Sequence, residues 1–229
     1  MTIIEFCEKG RDKLKYKLLN KDEISSVLKI LQDDYPTPKC GLDYTNAFEL
    51  LISLILAAQC TDVRVNLIRP NLTNKYPTPE DVAKLSYNEV YNIIKSCSFP
   101  NNKAKHIVEA AKKIVSEYSS KVPNTMQELI SIPGIGRKSA NIILKEAFGI
   151  VEGIAVDTHV TRLSKKIGFT NSNDVIVIEK DLMKKIPQHL WGNINHTLVE
   201  HGKKICIARR PKCEECNIRN YCRDYLKRL

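Results

Sequence analysis

The stretch at 132–140 (IPGIGRKSA) combines two glycines with two basic residues in a turn between apolar helical patterns. Its proline fixes one backbone angle, and Gly134 and Gly136 remove the side chains that would keep another molecule away from the backbone. We expect Gly134, Gly136 and Arg137 to bind a phosphate at the amino terminus of the second helix. An ordinary turn between helices is the alternative, and Lys138 favours the phosphate site.

A second group with chemical potential lies near the C-terminus, where four cysteines follow the pattern C-x6-C-x2-C-x5-C. They are Cys206, Cys213, Cys216 and Cys222. Thiolates are soft ligands that suit zinc or an iron-sulfur cluster. Structural zinc sites usually use two close pairs, whereas this segment has one C-x-x-C and two longer arms, and on the residues alone both zinc and a cluster stay open. Arg209, Arg210 and Lys212 lie between the first two cysteines and predict a phosphate-contacting loop, with a solvated loop as the alternative.

Composition is typical of a globular chain with an anionic partner. Its 229 residues with 43% hydrophobic content can form one or two compact domains. The net charge of +10 favours a nucleic acid or an anionic surface, although a lysine-rich solvated exterior would give the same value. No run reaches the roughly 18 apolar residues of a membrane span, and 1–20 lacks an apolar signal core, so we expect a cytoplasmic protein without a membrane partner. The scattered remaining cysteines fit a reduced chain.

Hydrophobic periodicity and capping residues predict an all-α chain. A first amphipathic helix is expected at 22–35, and the most apolar stretch, 48–58, predicts a buried central helix. Helices at 125–130, capped by Asn124, and at 137–148 flank the glycine turn. Further predicted helix starts are Thr61, Thr78, Ser86 and a position near Asn102, and further predicted helices cover 158–167, 175–186 and 188–204.

Three segments carry a resemblance to a known family. LIS-IPGIGRKSAN resembles the helix-hairpin-helix of the DNA glycosylase superfamily, and its lysine resembles that of the endonuclease III branch. IAVDTHV at 154–160 resembles the segment that carries the same family's catalytic carboxylate. The four-cysteine spacing matches the family's 4Fe-4S loop at all four positions.

The resemblance implies a fold of two helical domains with a helix-hairpin-helix motif and a C-terminal iron-sulfur cluster loop. A helical barrel would comprise 41–153, and 1–40 together with 154–229 would form the second domain, which carries the 4Fe-4S cluster. Lys138 and Asp157 fall on either side of this boundary. A shared active site is therefore expected where the two domains meet.

The resemblance also implies catalytic roles for Lys138 and Asp157. A neutral lysine amine can attack the sugar carbon that bears a damaged base and form an imine. The positive end of the helix dipole and the neighbouring Arg137 both disfavour a charged amine at this position. An ionised Asp157 would stabilise the cationic sugar that forms as the base departs. The alternatives are a phosphate-binding lysine and a carboxylate that only caps the next helix.

Two further segments resemble parts of the family that enter the duplex when a base is flipped out. AQCTD at 58–62 is similar to the family's AQxTD, which implies that Gln59 fills the space left by the base. The segment around Phe99 resembles the family's wedge loop, with Phe99 as the inserting residue. Here the chain departs from the family, because Ser98 replaces a common glycine and Pro100 a common aromatic residue.

Together these resemblances, which cover 22–222, imply a bifunctional DNA glycosylase. Such an enzyme removes oxidised pyrimidines from double-stranded DNA and cleaves the abasic site by β-elimination through a lysine Schiff base. We expect a monomer with a 4Fe-4S cluster, associated with the nucleoid if bacterial. An adenine glycosylase of the same superfamily and a non-catalytic, cluster-stapled DNA-binding module are the rivals, and only Lys138 and Asp157 separate the module from the enzyme.

Overall fold

The computed structural model describes residues 17–229, which form helices joined by turns and short extended segments. No strand occurs within that range, so the predicted all-α class is confirmed. Nor does any helix between 17 and 229 have the length and apolar character needed to cross a membrane. The chain divides into a central unit, Cys40–Glu152, and a terminal unit, 17–39 with Gly153–Leu229.

Helix α1 (Lys21–Asp34) begins the terminal unit. The central unit contains α2 (Ala47–Ala57), α3 (Asp62–Thr73), α4 (Pro79–Ala83), α5 (Tyr87–Ile94), α6 (Pro100–Glu117), α7 (Met126–Ser131) and α8 (Arg137–Phe148). The terminal unit continues with α9 (Thr158–Ile167), α10 (Val175–Lys185), α11 (Trp191–Lys204) and α12 (Arg223–Leu226), and with 3-10 turns at Gln188–Leu190 and Cys213–Glu215. The helix predicted at 188–204 is therefore a 3-10 turn followed by α11.

The core of the central unit forms around α2, whose residues 48–56 are all buried. Asn46 caps this helix by accepting a hydrogen bond from the Glu49 N–H at 3.0 Å. Glu49 is the single charged residue of α2, and its carboxylate pairs with Arg69 of α3 at 2.6 Å, which compensates its burial. The prediction of a buried central helix is thus confirmed.

Most predicted helix starts are confirmed, because Thr61, Thr78 and Ser86 each accept a hydrogen bond from the N–H three residues on. The cap predicted at Asn124 is wrong. Thr125 caps α7 instead, since its hydroxyl accepts from the Glu128 N–H at 3.3 Å and donates to the Glu128 carboxylate at 2.6 Å. The start predicted near Asn102 is also wrong, because the proline at 100 opens α6 without a side-chain cap.

The terminal unit has one apolar core that joins the first helix to the C-terminal third of the chain. Val27 and Leu31 of α1 belong to the same buried cluster as Leu163 of α9, Leu182 of α10 and Leu198 of α11. The predicted apolar face of α1 is confirmed by this packing. The core places the two ends of the described chain side by side.

Arg223 strengthens this connection directly after the last of the four C-terminal cysteines. Its side chain is buried, and Nε donates to the Lys17 carbonyl at 2.8 Å while Nη2 donates to Glu23 at 2.6 Å. Glu23 also accepts from the Asn20 N–H at 2.8 Å in a capping box. Burial opposes the charge of Glu23, but these hydrogen bonds outweigh it and hold the pKa of Glu23 below its usual value.

This pairing predicts a pH-dependent contribution to stability. Because the pKa of Glu23 is lower in the folded chain than in the unfolded one, its contribution is present above the unfolded pKa of 4.5 and is lost as pH falls through the folded value. We expect Glu23→Gln to lower the free energy of unfolding at neutral pH and to flatten its decline on acidification. Denaturant unfolding of both proteins between neutral and acidic pH measures this, and parallel pH profiles would contradict it.

Candidate nucleic-acid interface and cluster site

The turn between α7 and α8 uses its two glycines for different reasons. Gly134 has φ +84°, and a Cβ there would lie 3.0 Å from His106 Cβ and 3.2 Å from Ile55 Cγ1. A glycine is therefore required by packing at this position. Gly136 has an ordinary extended conformation, is exposed, and a Cβ there would meet nothing within 4 Å. Packing within the protein does not explain Gly136, whereas a ligand backbone approaching from solvent would.

The amino terminus of α8 begins at Arg137, directly after this open glycine. No side chain caps it, and Arg137 at its first position is exposed. The first-turn N–H groups of α8 therefore combine with the helix dipole and a guanidinium into a site suited to phosphate. Gly134, Gly136 and Arg137 lie together in this turn, and their binding of phosphate stays a prediction.

Lys138 lies in the first turn of α8 and is partly buried. It is close enough to Cys40 for its charge to act on that thiol, although burial dominates and raises the pKa of Cys40 above its usual value. Cys40 therefore stays protonated at neutral pH and is not an anionic partner for the lysine. Within residues 17–229, Lys138 makes no ion pair with a carboxylate, which leaves its amine available to a ligand.

Asp157 is the N-cap of α9 in the terminal unit, as predicted, and its Oδ1 accepts the Val160 N–H at 2.8 Å. The buried segment Ile154 to Val156 precedes it. Asn195 of α11 is also buried, and its amide donates to the Ala155 carbonyl at 2.8 Å, which fixes the backbone that leads to the carboxylate. This role of Asn195 has no signal in the sequence, because a polar residue in an amphipathic helix normally faces water.

The structure brings Gln59 and Phe99 onto neighbouring segments of the central unit. Both are exposed and both adopt left-handed conformations, with φ of 52° and 51°. The Ser98 hydroxyl donates to the Gln59 carbonyl at 2.6 Å, and the buried Lys103 ammonium donates to the Leu56 carbonyl at 2.7 Å and to the Ser98 oxygen at 3.2 Å. Left-handed backbone is strained for residues other than glycine, and these bonds hold it in place. Ser98 and Lys103 are positioning residues that were not predicted from the sequence. The one signal was that Ser98 stands where the family commonly has glycine.

The four C-terminal cysteines all line one pocket in the terminal unit. Their thiols are free, and Ile167, Ile205 and Ile218 supply apolar wall between them. Over residues 17–229, no three ligand side chains converge closely enough to hold a single metal ion. Four unpaired thiols around one pocket are the soft donor set that an iron-sulfur cluster takes.

Two hydrogen-bond donors approach the sulfur atoms. Arg162 Nη1 lies 3.7 Å from the sulfur of Cys206 and donates to its carbonyl at 2.6 Å. His201 Nε2 lies 3.8 Å from the sulfur of Cys216, while its Nδ1 lies 3.1 Å from the Tyr35 hydroxyl. Burial lowers the pKa of His201 to about 4, so its ring is neutral at physiological pH. The tautomer that carries its hydrogen on Nε2 would accept from the Tyr35 hydroxyl at Nδ1 and donate to the sulfur, an interaction that stabilises metal-bound thiolate.

The basic loop between the first two cysteines is exposed at Arg209, Arg210 and Lys212. Its base is fixed by the Lys212 N–H, which donates to the Ile205 carbonyl at 2.9 Å. The Lys212 ammonium lies 3.5 Å from Glu215 in an exposed pair, whereas neither arginine makes an ion pair in the described part of the chain. Both guanidinium groups are therefore open to phosphate.

Family profiles match most of the chain. Residues 52–188 match the HhH-GPD superfamily of base excision DNA repair proteins. Residues 206–222 match the iron-sulfur binding domain of endonuclease III, and this range contains all four cysteines of the cavity. The predicted 4Fe-4S cluster is confirmed by this match together with the relatives described next.

Individual relatives extend over nearly the full length. The chain is 45% identical to the endonuclease III of Synechocystis over 88% of its length and 92% of the relative. It is 41% identical to the endonuclease III of Bacillus subtilis over 92% and 96% of the two chains. A solved structure of a trapped endonuclease III-DNA covalent intermediate superposes with a TM-score of 0.88 at 38% identity, covering 92% of this chain and 99% of the other.

The contrast between the two glycines gives a first test of the phosphate site. Gly136→Ala adds a methyl group to open space, so we expect the free energy of unfolding to change by about 1 kcal/mol or less, the range for an altered N-cap. Binding to duplex DNA should weaken, because the methyl group occupies the approach to the α8 amides. Gly134→Ala is the matched control and should destabilise the fold, since it crowds His106 and Ile55 at positive φ. Unchanged DNA binding by Gly136→Ala, measured by fluorescence anisotropy, would contradict the site.

The cluster gives a second test. Purified protein should be yellow-brown, with broad absorption near about 400 nm from thiolate-bound iron. Cys206→Ser should lower folding yield and colour, because the cluster joins distant points of the C-terminal segment. Cys40→Ser is the control, since this partly buried thiol does not line the cluster pocket, and it should keep the colour. A colourless wild-type protein with stoichiometric zinc would contradict the assignment.

Proposed function

The chain belongs to the endonuclease III family of the HhH-GPD base excision repair superfamily, and we propose that Lys138 is its nucleophile and Asp157 its charge-stabilising carboxylate. The protein is a DNA glycosylase and abasic-site lyase that acts on oxidised pyrimidines in duplex DNA, as the sequence predicts. The observation that carries the proposal is the position of Lys138. This residue lies in the first turn of α8, whose amino terminus no side chain caps, two residues after the open Gly136, and it has no carboxylate partner in residues 17–229.

Lys138 forms the covalent bond of the proposed reaction. A phosphate bound at Gly136 and Arg137 places the adjoining sugar beside the amine. The nitrogen bonds to the sugar carbon as the bond to the base breaks, and loss of a proton with ring opening gives an imine. The imine makes a proton on the next carbon acidic, so its removal expels the 3′ phosphate by β-elimination. The covalent intermediate trapped in a similar endonuclease III supports this route.

Asp157 contributes electrostatically. Departure of the base leaves positive charge on the sugar, and a fixed carboxylate stabilises that charge without having to reorganise. The Val160 N–H fixes the position of Oδ1, and the Asn195 amide fixes the backbone two residues before the carboxylate. Asp157 can also accept a proton during imine formation.

DNA recognition is assigned to two further surfaces. We propose that Gln59 and Phe99 enter the duplex when the damaged base is flipped, because both are exposed on segments fixed by hydrogen bonds. Arg209, Arg210 and Lys212 contact backbone phosphates and bind damaged and undamaged duplex alike. When bound, the 4Fe-4S cluster supplies structural cross-links, and these hold the two ends of this basic loop in place.

The proposed cellular location rests on the cysteines, which form no disulfide in the described residues. We propose a cytoplasmic enzyme, associated with the nucleoid in a bacterial cell. Seven cysteines in the described residues are free, which suits a reducing compartment. Cys7 lies outside the described residues.

The nucleophile is tested by trapping. Borohydride added during reaction with duplex DNA that contains an oxidised pyrimidine should reduce the imine and leave the DNA attached at Lys138. Lys138→Gln should lose this adduct and retain much of its binding, because the α8 amides remain. Asp157→Asn should bind almost normally and release the base roughly 10²-fold more slowly, the scale for loss of one electrostatic or acid-base group.

Lys145→Gln is the matched control, because Lys145 lies on the same helix but pairs with Glu146. This variant should trap as the wild type does. Gel analysis of the adduct and single-turnover base release measure the two steps. Trapping by Lys138→Gln would assign the nucleophile to another amine, and tight binding by the wild type without base release would favour a non-catalytic DNA-binding module.

A further inference from the structure

The central unit contains a pair of cysteines that the proposed reaction does not use. Cys60 follows Gln59 and Cys97 comes two residues before Phe99, and the two side chains are close enough for Cys60 to raise the pKa of the Cys97 thiol. The surrounding backbone confirms that the two segments are adjacent, because Ser98 donates to the Gln59 carbonyl at 2.6 Å. Neither thiol belongs to the cluster cavity, which lies in the terminal unit.

The two thiols differ in accessibility. Cys97 is buried with 5% of its surface exposed, whereas Cys60 is partly exposed. Burial and the neighbouring Cys60 raise the pKa of Cys97 to about 11, although Lys103 and Arg64 oppose this shift. Cys97 therefore stays a thiol at neutral pH, and Cys60 is the sulfur that an oxidant in solution can reach.

We propose that Cys60 and Cys97 form a reversible disulfide through which a peroxide weakens lesion recognition. The inference rests on the proposed roles of Gln59 and Phe99. Glycosylase chemistry itself does not require a cysteine here, because Cys60 occupies the x of the AQxTD pattern, where the family's residue type varies. The pair is a modification site for a small peroxide.

The chemistry balances with one peroxide. The Cys60 sulfur attacks a peroxide oxygen, the O–O bond breaks, and one water leaves as Cys60 becomes a sulfenic acid. The Cys97 sulfur then attacks the Cys60 sulfur, the S–O bond breaks, and a second water leaves. Two thiols and one hydrogen peroxide thus give one disulfide and two waters. The sulfurs lose two electrons that the peroxide gains, and a dithiol reductant returns them.

The disulfide would act on both duplex-entering residues because they adjoin the sulfurs. Forming an S–S bond of about 2.05 Å draws together two sulfurs that are not bonded in the reduced protein. Gln59 and Phe99 have φ near +50°, where few backbone conformations are accessible. Their backbone therefore cannot adjust to a shift of the two segments, and the two side chains move with it. The phosphate site at Gly136 is on a different turn and should be unaffected. Oxidation should therefore reduce preference for the lesion more than binding to duplex in general.

The experiment uses the full-length, cluster-loaded protein and hydrogen peroxide. After one equivalent of peroxide, free thiols are alkylated and the protein is digested without reduction, and mass spectrometry should find the Cys60 peptide linked to the Cys97 peptide. The dissociation constant for a lesion-containing duplex should rise roughly 10-fold, while that for undamaged duplex changes little. Dithiothreitol should reverse both effects. Absorption near about 400 nm, monitored throughout, should show that the cluster is retained.

Cys60→Ser and Cys97→Ser should each be insensitive to peroxide, and Cys60→Ser is the safer variant because its side chain is partly exposed. Cys40→Ser is the control and should respond as the wild type does. Absence of the linked peptide, an unchanged dissociation constant once it has formed, or an equal response of Cys60→Ser would each overturn the proposal. Failure of the reduced wild type to trap at Lys138 would instead contradict the proposed function, while the linked peptide would still report on the thiol pair.

Discussion

The packing of α2 is the constraint on which the DNA-facing part of the central unit depends. Ile55, near the end of α2, approaches the hairpin turn so closely that only glycine fits at 134. One residue later, the Leu56 carbonyl receives the buried Lys103 ammonium, which also holds Ser98. A single helix end thus fixes both the turn that presents the α8 amides and the segments that carry Gln59 and Phe99. Because α2 is buried along residues 48–56, neither contact can relax by moving the helix.

The terminal unit depends on contacts between residues that are far apart in sequence, since it combines 17–39 with Gly153–Leu229. The apolar faces of α1, α9, α10 and α11 supply the association, and Arg223 adds a buried charge whose partners, Lys17 and Glu23, lie at the other end of the sequence. A buried guanidinium is costly unless its donors are satisfied, so this contact specifies one arrangement. Since Arg223 directly follows Cys222, the cluster loop ends at a fixed point.

Local chemistry explains why so much could be predicted from the sequence. Capping residues such as Asn46, Ser86 and Asp157 act over three residues, and their hydrogen bonds formed where the pattern indicated. Thr125 was missed because two adjacent polar residues could cap α7, and only the geometry of Glu128 decides between them. The family, the fold class and the cluster also followed from short motifs.

What the sequence could not reveal depends on contacts between distant residues. Lys103, Asn195 and His201 look like solvent-facing helix residues, yet each is buried with a partner far away in sequence. The left-handed backbone at Gln59 and Phe99 is another such property, because neither residue type signals positive φ. These features share a physical cause. A buried polar group or a strained backbone persists only where tertiary contacts compensate it, so both concentrate where the structure must hold a side chain in one position. The catalytic motifs contain the groups that react. The buried polar groups and the strained backbone determine the geometry in which those groups react.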